Sequence, residues 1–138
     1  MSNRDKISIN FTNNLKYTEF TVFILTFLKN ILTISDDDMF KIEISLREVI
    51  NNAIIHGNKS NPEKRVYLDF EWEKDLLILT ITDENDTPVD FNQILKKIEE
   101  RDLLSFNGRG ILIMRTYMDN VKFSNIKGGT RIVLEKHV

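Results

Sequence analysis

The segment formed by residues 35–57 constrains the fold more than any other part of the chain. It begins with Ser35 and three aspartates, which is typical of a helix start, because serine caps the first N–H groups and acids favour the positive end of the helix dipole. Apolar residues then recur at helical spacing as far as His56, and Gly57 is a natural C-terminal stop. The segment therefore predicts one long, mostly apolar helix.

A narrow polar stripe runs along this predicted helix. At about 100° per residue, Ser45, Glu48, Asn52 and His56 fall on one face. A stripe this narrow on a helix this apolar either lines a cleft or forms an ordinary solvent-exposed edge, and the spacing alone leaves both interpretations open.

The remaining periodic segments predict the other elements. Residues 66–72 and 77–81 alternate between apolar and polar side chains, and the turn residues 73–75 between them indicate a hairpin. Further strands are predicted at residues 7–11, 121–124 and 131–134, and further helices at residues 20–31, 91–103 and 110–118. Helices and antiparallel strand pairs in this order predict a two-layer sandwich.

Composition restricts the class of protein. The 138 residues, 41% of them apolar and 29% charged, predict a single globular domain over residues 1–138. A net charge of -2 gives no basic field, so we expect no direct contact with nucleic acid. The sequence contains no cysteine, which fits a reducing compartment, and we find no signal peptide or membrane span. We therefore expect a cytoplasmic protein without a membrane partner.

Three further motifs are each weak when taken alone. Asp83 follows an apolar strand and precedes Asn85, so it either accepts a hydrogen bond from a ligand or belongs to a plain turn; Asn85 suits a left-handed conformation. Gly108-Arg109-Gly110 before a helix is a candidate phosphate site, because glycines let backbone N–H groups approach closely. The residues Gly128-Gly129-Thr130 are equally consistent with a simple strand turn.

The conjunction of these motifs is far more specific. The order is Glu48-x-x-x-Asn52-Ala53-x-x-His56-Gly57, then Asp83, then Gly108-Arg109-Gly110, then Gly128-Gly129-Thr130. This order resembles the GHKL ATPase superfamily, whose members share the Bergerat fold. The run from Gly108 to Asp119 looks like the anti-sigma-factor serine/threonine kinases of bacterial partner-switching systems. The resemblance implies an α+β two-layer sandwich with a mixed, mainly antiparallel sheet covered by helices on one face.

The resemblance also implies residue roles and cofactors, ATP and Mg²⁺. Asn52 matches the family's Mg²⁺ ligand, and Glu48 matches the general base that acts on the attacking hydroxyl. Asp83 matches the acceptor for the adenine amino group, and Thr130 matches a hydroxyl that helps to hold the adenine side. The run Gly108, Arg109 and Gly110 matches the phosphate-facing end of the ATP lid.

Two further positions are added to the nucleotide-binding set. Asn85 lies in the glycine box that begins at Asp83, where the family usually has glycine, and this departure puts nucleotide affinity in doubt. His56 either contacts the nucleotide or packs at the helix end. In the lid segment, Lys96, Lys97 and Arg101 either meet phosphate on closure or form a solvated helix face.

The implied function is that of a protein serine/threonine kinase that is also an anti-sigma factor. Such a protein binds a sigma factor and phosphorylates a small STAS-type antagonist protein, and the resemblance implies a homodimer formed through the first strand and first helix. The alternative is a nucleotide-dependent binding module with weak or no transferase activity, which the altered box at Asp83 favours. The catalytic domain of a histidine kinase is a third interpretation, with no segment resembling its phosphoacceptor helices.

Overall fold

The chain forms two layers, a five-stranded sheet and a set of helices. A computed structural model describes residues 4–100 and 106–138. The elements in chain order are β1 (Asp5–Thr12), α1 (Thr18–Leu32), α2 (Asp36–Asn52), β2 (Arg65–Glu73), β3 (Leu76–Thr82), α3 (Phe91–Glu99), α4 (Phe106–Tyr117), β4 (Asn120–Ile126) and β5 (Gly129–His137). A short 3₁₀ turn, Leu15–Tyr17, precedes α1, and a turn of π-helix, Ala53–Gly57, continues α2.

The sheet has the order β1-β2-β3-β5-β4, and each neighbouring pair in the described sheet is antiparallel. The register places Ile9 opposite Leu68, and Leu68 opposite Ile81, so apolar side chains of adjacent strands share one face. Side chains of α1, α2 and α4 join these strands in one buried core that includes Leu25, Ile50 and Met114. The predicted two-layer α+β architecture is confirmed, but the expectation of a mixed sheet is wrong, since all four described strand pairs are antiparallel.

The opposite face of the sheet is polar where β1 and β2 pair. Lys6 on β1 forms ion pairs with Asp69 and Glu71 on β2, with N–O distances of 3.6 and 3.8 Å. These paired charges suit a solvent-facing surface, whereas the apolar face of the sheet shares its core with side chains of α1, α2 and α4.

The start of α2 follows the sequence prediction. The Ser35 side chain accepts a hydrogen bond from the Asp38 N–H at 3.1 Å, which is the expected N-cap. Helical backbone continues through the π turn to Gly57, where the Asn58 N–H donates to the Ala53 carbonyl at 2.7 Å. After the π turn, positive φ angles occur at Lys59 and Ser60 and not at Gly57, so Gly57 does not end the helix through a left-handed conformation.

The last two helices differ from their predicted limits. The α4 helix begins at Phe106, so Gly108-Arg109-Gly110 lies inside the helix and does not precede it. The prediction that this helix starts at Gly110, directly after Gly108, is therefore wrong, because these glycines do not interrupt the helical backbone. The α3 helix ends at Glu99, and residues 101–103 of its predicted range lie outside the described residues.

Among the described helices, none combines the length and the apolar character needed to cross a membrane.

Candidate functional site

The polar stripe on α2 faces the beginning of α4. A Cβ atom placed on Gly110 would lie 2.6 Å from Asn52 Nδ2 and 3.1 Å from Glu48 Oε2. Because any larger residue would displace these groups, Gly110 lets the α4 backbone lie directly over the two polar side chains. The stripe thus lines an interface between elements at Glu48 and Asn52, which favours the cleft interpretation over a solvent-exposed edge.

Asp83, at the end of β3, is a buried carboxylate with one oxygen already occupied. Its Oδ1 accepts N–H donors from Asn85 at 2.9 Å and from Thr130 at 3.0 Å. Burial raises the pKa of Asp83 above the usual aspartate value, while these two N–H donors and nearby Lys64 oppose the rise. The hydrogen bonds fix the carboxylate in place and direct the other oxygen, Oδ2, towards α2.

The second oxygen of Asp83 lies against Gly57. A Cβ atom at Gly57 would stand 1.9 Å from Asp83 Oδ2, and a Cβ atom at Gly129 would stand 2.1 Å from the Asp83 carbonyl oxygen. These glycines therefore allow close approach from two sides, and neither requires a left-handed backbone. From the sequence, Gly57 is predicted to be a helix stop and part of the motif that begins at Glu48, but its contact with Asp83 is not visible in the sequence.

Asn85 behaves differently from its prediction. It is absent from the described residues with positive φ, so the predicted left-handed conformation is wrong. Instead its side-chain Oδ1 accepts the Thr87 N–H at 3.0 Å, and its own N–H binds Asp83. A side chain thus supplies the turn that glycine supplies elsewhere, because asparagine can mimic a backbone carbonyl.

Thr130 and His56 complete the polar part of the site. Thr130 is buried beside Asp83, and its hydroxyl makes no hydrogen bond within the described residues. Burial lowers the pKa of His56 below the usual histidine value, so this ring is held towards its neutral form.

These side chains share one cavity. It has a volume of about 90 Å³ and polar lining residues from α2, the π turn, the loop after β3 and β5. Those polar residues are Asn52, His56, Asp83, Asn85 and Thr130. Apolar walls come from Ile81, Ile132, Ile111, Val89, Phe91 and Ile94. The cavity is smaller than the roughly 300–1,000 Å³ of ordinary ligand pockets.

The α3 wall is held by contacts with β4. Asn125 accepts the Val89 N–H and donates to the Val89 carbonyl, both at 2.9 Å. Phe91 stacks on Phe123 with ring centroids 4.8 Å apart. The segment that covers the cavity begins at Val89 and continues into α3. The start of this segment is therefore attached to the edge strand β4.

The predicted phosphate-facing residues lie apart from this cavity. Arg109 is exposed on α4, and Gly110 is buried against Glu48 and Asn52, while Gly108 occupies the first turn of the helix. Lys96 is exposed on α3 and Lys97 is half-buried, whereas Arg101 lies outside the described residues. The site thus has two ends. One is the cavity beside Asp83, and the other consists of the Glu48 and Asn52 side chains beneath α4.

The donor set suits a hard cation with few protein ligands. Among residues 4–100 and 106–138, no group of three histidine, cysteine, aspartate or glutamate side chains could hold a metal ion. Asn52 and Glu48 nevertheless bring an amide and a carboxylate together beneath Gly110, in space that a Cβ atom would fill. Mg²⁺ accepts such oxygen ligands and takes the rest from water and phosphate, so these residues fit it.

Comparison with known protein families gives one match over most of the chain. Residues 14–136 match the histidine kinase-like ATPase domain. The anti-sigma F factors of Bacillus subtilis and Halalkalibacterium halodurans are each 33% identical to this chain over 104 residues, which cover 74% of this chain and 71% of each relative.

Solved structures with the same fold share little sequence with the chain. A structure of the SiaB–SiaC complex from Pseudomonas aeruginosa aligns with a TM-score of 0.67 at 12% identity, over 96% of this chain and 89% of the other. The RsbU and RsbW domains of a Mycobacterium tuberculosis protein align with a TM-score of 0.65 at 12% identity, over 96% of this chain and 32% of that longer chain. At this identity the likeness concerns the fold alone.

Proposed function

Because the chain belongs to the histidine kinase-like ATPase domain family and is homologous to the anti-sigma F factors, we propose that it is an ATP-dependent protein serine/threonine kinase and an anti-sigma factor. Its substrate is a small STAS-type antagonist protein, and its other partner is a sigma factor. We place this activity in the cytoplasm.

The observation that carries the proposal is the arrangement of Asp83. Its Oδ1 is saturated by two N–H groups, and its Oδ2 lies beside the bare Gly57 at the cavity wall. A fixed carboxylate oxygen in an apolar cavity favours an amino group as its ligand, which adenine offers at its exocyclic nitrogen. The apolar walls, including Ile81 and Ile132, suit the faces of a purine ring.

The phosphates and the metal belong at the α4 end of the site. Asn52 would hold Mg²⁺ through its amide oxygen, and the metal would neutralise charge on the phosphate oxygens. The N–H groups in the first turn of α4, including that of Gly108, suit phosphate oxygens, because the first N–H groups of a helix have no carbonyl partners within it. Arg109 and Gly110 lie in the same segment; Gly110 permits the close approach.

Glu48 lies one helical turn before Asn52 and is the proposed general base. It accepts the proton of the antagonist's serine or threonine hydroxyl as that oxygen forms its bond to the γ-phosphorus. The bond between the γ-phosphorus and the bridging oxygen breaks, and ADP leaves with that oxygen. His56 and Thr130 contribute to holding the adenine side, and Asn85 keeps the loop after Asp83 in its turn.

A homodimer is part of this proposal, because α1 carries an exposed apolar stripe. Phe20, Phe23, Phe27 and Ile31 are each half or more exposed, although they recur at helical spacing on one face. A contiguous apolar surface of this kind is typical of an interface. We therefore propose that two copies associate through this stripe and the neighbouring strand β1.

A second candidate is a nucleotide-dependent binding module with weak or no transferase activity. The small cavity and the replacement of glycine by Asn85 favour it, because both restrict access of the nucleotide to the backbone. The two functions differ in whether phosphate leaves the nucleotide.

Phosphate transfer distinguishes the two candidates. Purified STAS-domain proteins from the source genome are incubated with the chain and ATP labelled at the γ-phosphate, with and without Mg²⁺. We expect Mg²⁺-dependent labelling of one of them that falls by about 100-fold or more in Glu48→Gln, while ADP binding persists. Glu43→Gln, which changes a surface ion pair on the same helix, is the matched control. Nucleotide binding without transfer to any of these proteins would favour the binding module, and unchanged transfer in Glu48→Gln would reject Glu48 as the base.

A further inference from the structure

Asn58 is a fully buried polar residue directly after the π turn. Its exposed fraction is 0%. Its Nδ2 donates to the Arg65 carbonyl at 2.9 Å and to Asn13 Oδ1 at 3.1 Å, and its Oδ1 accepts the Glu84 N–H at 2.8 Å. A buried side-chain amide with three hydrogen bonds in different directions defines the relative position of every segment it joins.

The bond to Glu84 bears directly on the candidate site. Gly57 faces Asp83 across the cavity wall, and the next residues along each segment, Asn58 and Glu84, are hydrogen-bonded to each other. The Asn58–Glu84 bond therefore determines how far Asp83 stands from the π turn. The Glu84 carboxylate in turn accepts the Arg65 N–H, which attaches the same loop to the start of β2.

The network continues to the N-terminal part of the chain. Asn13, which follows β1 and is also buried, donates through Nδ2 to the Ile54 carbonyl in the π turn at 3.2 Å. Asn13 thus accepts a hydrogen bond from Asn58 on the side away from Asp83, whereas the bond between Asn58 and Glu84 connects to the loop that carries Asp83. The two asparagines have similar burial and chemistry but different distances from the site, so they offer a matched comparison.

We propose that Asn58 is the positioning residue for Asp83 and thereby determines the preference of the site for adenine over other purines. This inference rests on the proposed function, since it concerns the same nucleotide site. If Asn58 Oδ1 no longer holds the Glu84 N–H, Asp83 Oδ2 moves relative to the purine edge and loses its hydrogen bond to the amino group. Binding to a purine without that amino group does not depend on this hydrogen bond.

The test is the ratio of dissociation constants for IDP and ADP, both with Mg²⁺, measured by titration calorimetry. Hypoxanthine in IDP has a carbonyl oxygen where adenine has the amino group. We expect wild-type protein to prefer ADP by about 10- to 100-fold, the effect of one hydrogen bond to a charged group. In Asn58→Ala the preference should fall to within about threefold of unity, mainly through weaker ADP binding. The ratio is insensitive to the folded fraction, so simple destabilisation does not change it.

Three further variants keep the test decisive. Asn58→Asp retains an acceptor for the Glu84 N–H but loses the two hydrogen bonds that Nδ2 donates to Arg65 and Asn13, so a preserved preference for ADP in this variant assigns the effect to the Glu84 bond. Asn13→Ala removes a buried asparagine of the same network and should also preserve it. Asn58→Ser, whose hydroxyl can hold a water in the vacated space, replaces the alanine variant if that one does not fold.

The outcomes distinguish a failure of the role of Asn58 from a failure of the proposed nucleotide site. Wild-type protein that prefers ADP, with an unchanged preference in Asn58→Ala or Asn58→Ser, overturns the role of Asn58 but leaves the nucleotide site intact. Equal loss in Asn13→Ala also overturns it, because the effect would then be a general one of the buried network. Wild-type protein that binds neither nucleotide overturns the proposed function together with this inference.

Discussion

At the scale of single residues, the site depends on side chains and bare backbone that meet only in the folded chain. Glu48 and Asn52 are one turn apart on a helix, so their shared face is predictable from spacing. Their contact with Gly110 is not, because more than fifty positions separate the residues. The same limit explains Asn85: its sequence position suggests a left-handed turn, while the folded chain lets its side chain accept the Thr87 N–H instead.

Replacing Gly57 by alanine should damage both stability and the site. The added methyl group would stand 1.9 Å from Asp83 Oδ2, so the carboxylate or the π turn must shift. We expect Gly57→Ala to lower the free energy of unfolding by roughly 1–3 kcal/mol and to weaken ADP binding strongly. Urea denaturation and calorimetry measure the two effects.

The matched glycine control for this substitution is Gly128. Its φ is +78°, a conformation that strains any side chain but that asparagine tolerates best, and none of the described neighbours lies within 4 Å of a Cβ atom placed there. Gly128→Asn should therefore lower the free energy of unfolding by no more than about 1 kcal/mol. Equal stability losses in the two variants would contradict the argument from close approach at Gly57.

At the scale of elements, the types of the strands and helices follow from periodicity, but their limits follow from contacts. The alternation in β2 and β3 and the N-cap at Ser35 are local signals and are confirmed. The start of α4 is not predicted correctly, since Gly108 and Gly110 read as a helix mouth. The helix includes Gly110 because the backbone there packs closely on α2. Helix propensity, which disfavours glycine, carries no information about this contact.

Asp119 connects the end of α4 to the last strand and should make stability depend on pH. It accepts the His137 N–H at 2.6 Å and the Lys136 ammonium at 3.4 Å. The N–H donor of His137 foremost, and the charge of Lys136, hold the pKa of Asp119 below its usual value of 3.8. A lowered pKa in the folded state means stabilisation that is fully present above pH 3.8 and is lost as the pH falls through the folded value.

We therefore expect Asp119→Asn to be less stable than wild type by about 1 kcal/mol at pH 7, a figure that allows for the exposure of this carboxylate. The difference should shrink as the pH is lowered below 3.8. Urea denaturation across this pH range measures it, with Asp75→Asn in the β2–β3 turn as a control for removal of one charge. A difference that stays constant with pH would show that the Asp119 carboxylate does not stabilise the fold through its charge.

At the scale of the whole molecule, the two-layer architecture is predictable and the assembly is not. The order of helical and alternating segments already indicates a two-layer sandwich of helices and antiparallel strands, and the described sheet is antiparallel. The order β1-β2-β3-β5-β4 needs pairings between distant segments, such as β3 with β5, which no local pattern specifies. The apolar stripe on α1 is visible in the sequence, but only the folded chain shows that it is left uncovered.

The proposed homodimer predicts a change of mass in solution. Phe23 is 72% exposed on the α1 stripe, so its replacement leaves the core of a single copy intact. Phe23→Asp should convert a dimer into a monomer in sedimentation equilibrium, because a charge would be buried at the contact. The control is Thr26→Asp, at an exposed position of the same helix that lies further from the stripe. A monomeric wild type, or a Phe23→Asp variant that remains dimeric, would contradict an interface at this stripe.

The central claim, a Mg²⁺-dependent adenine nucleotide site between Asp83 and Asn52, is tested most directly by thermal unfolding with and without Mg²⁺ and ADP. Nucleotide at about 100 times its dissociation constant should stabilise the protein by about 2.7 kcal/mol. For a chain of 138 residues this corresponds to a rise in Tm of about 9 °C. The account predicts that this rise requires Mg²⁺ and is lost in Asn52→Ala. No rise at millimolar nucleotide, or an equal rise in Asn52→Ala, would contradict it.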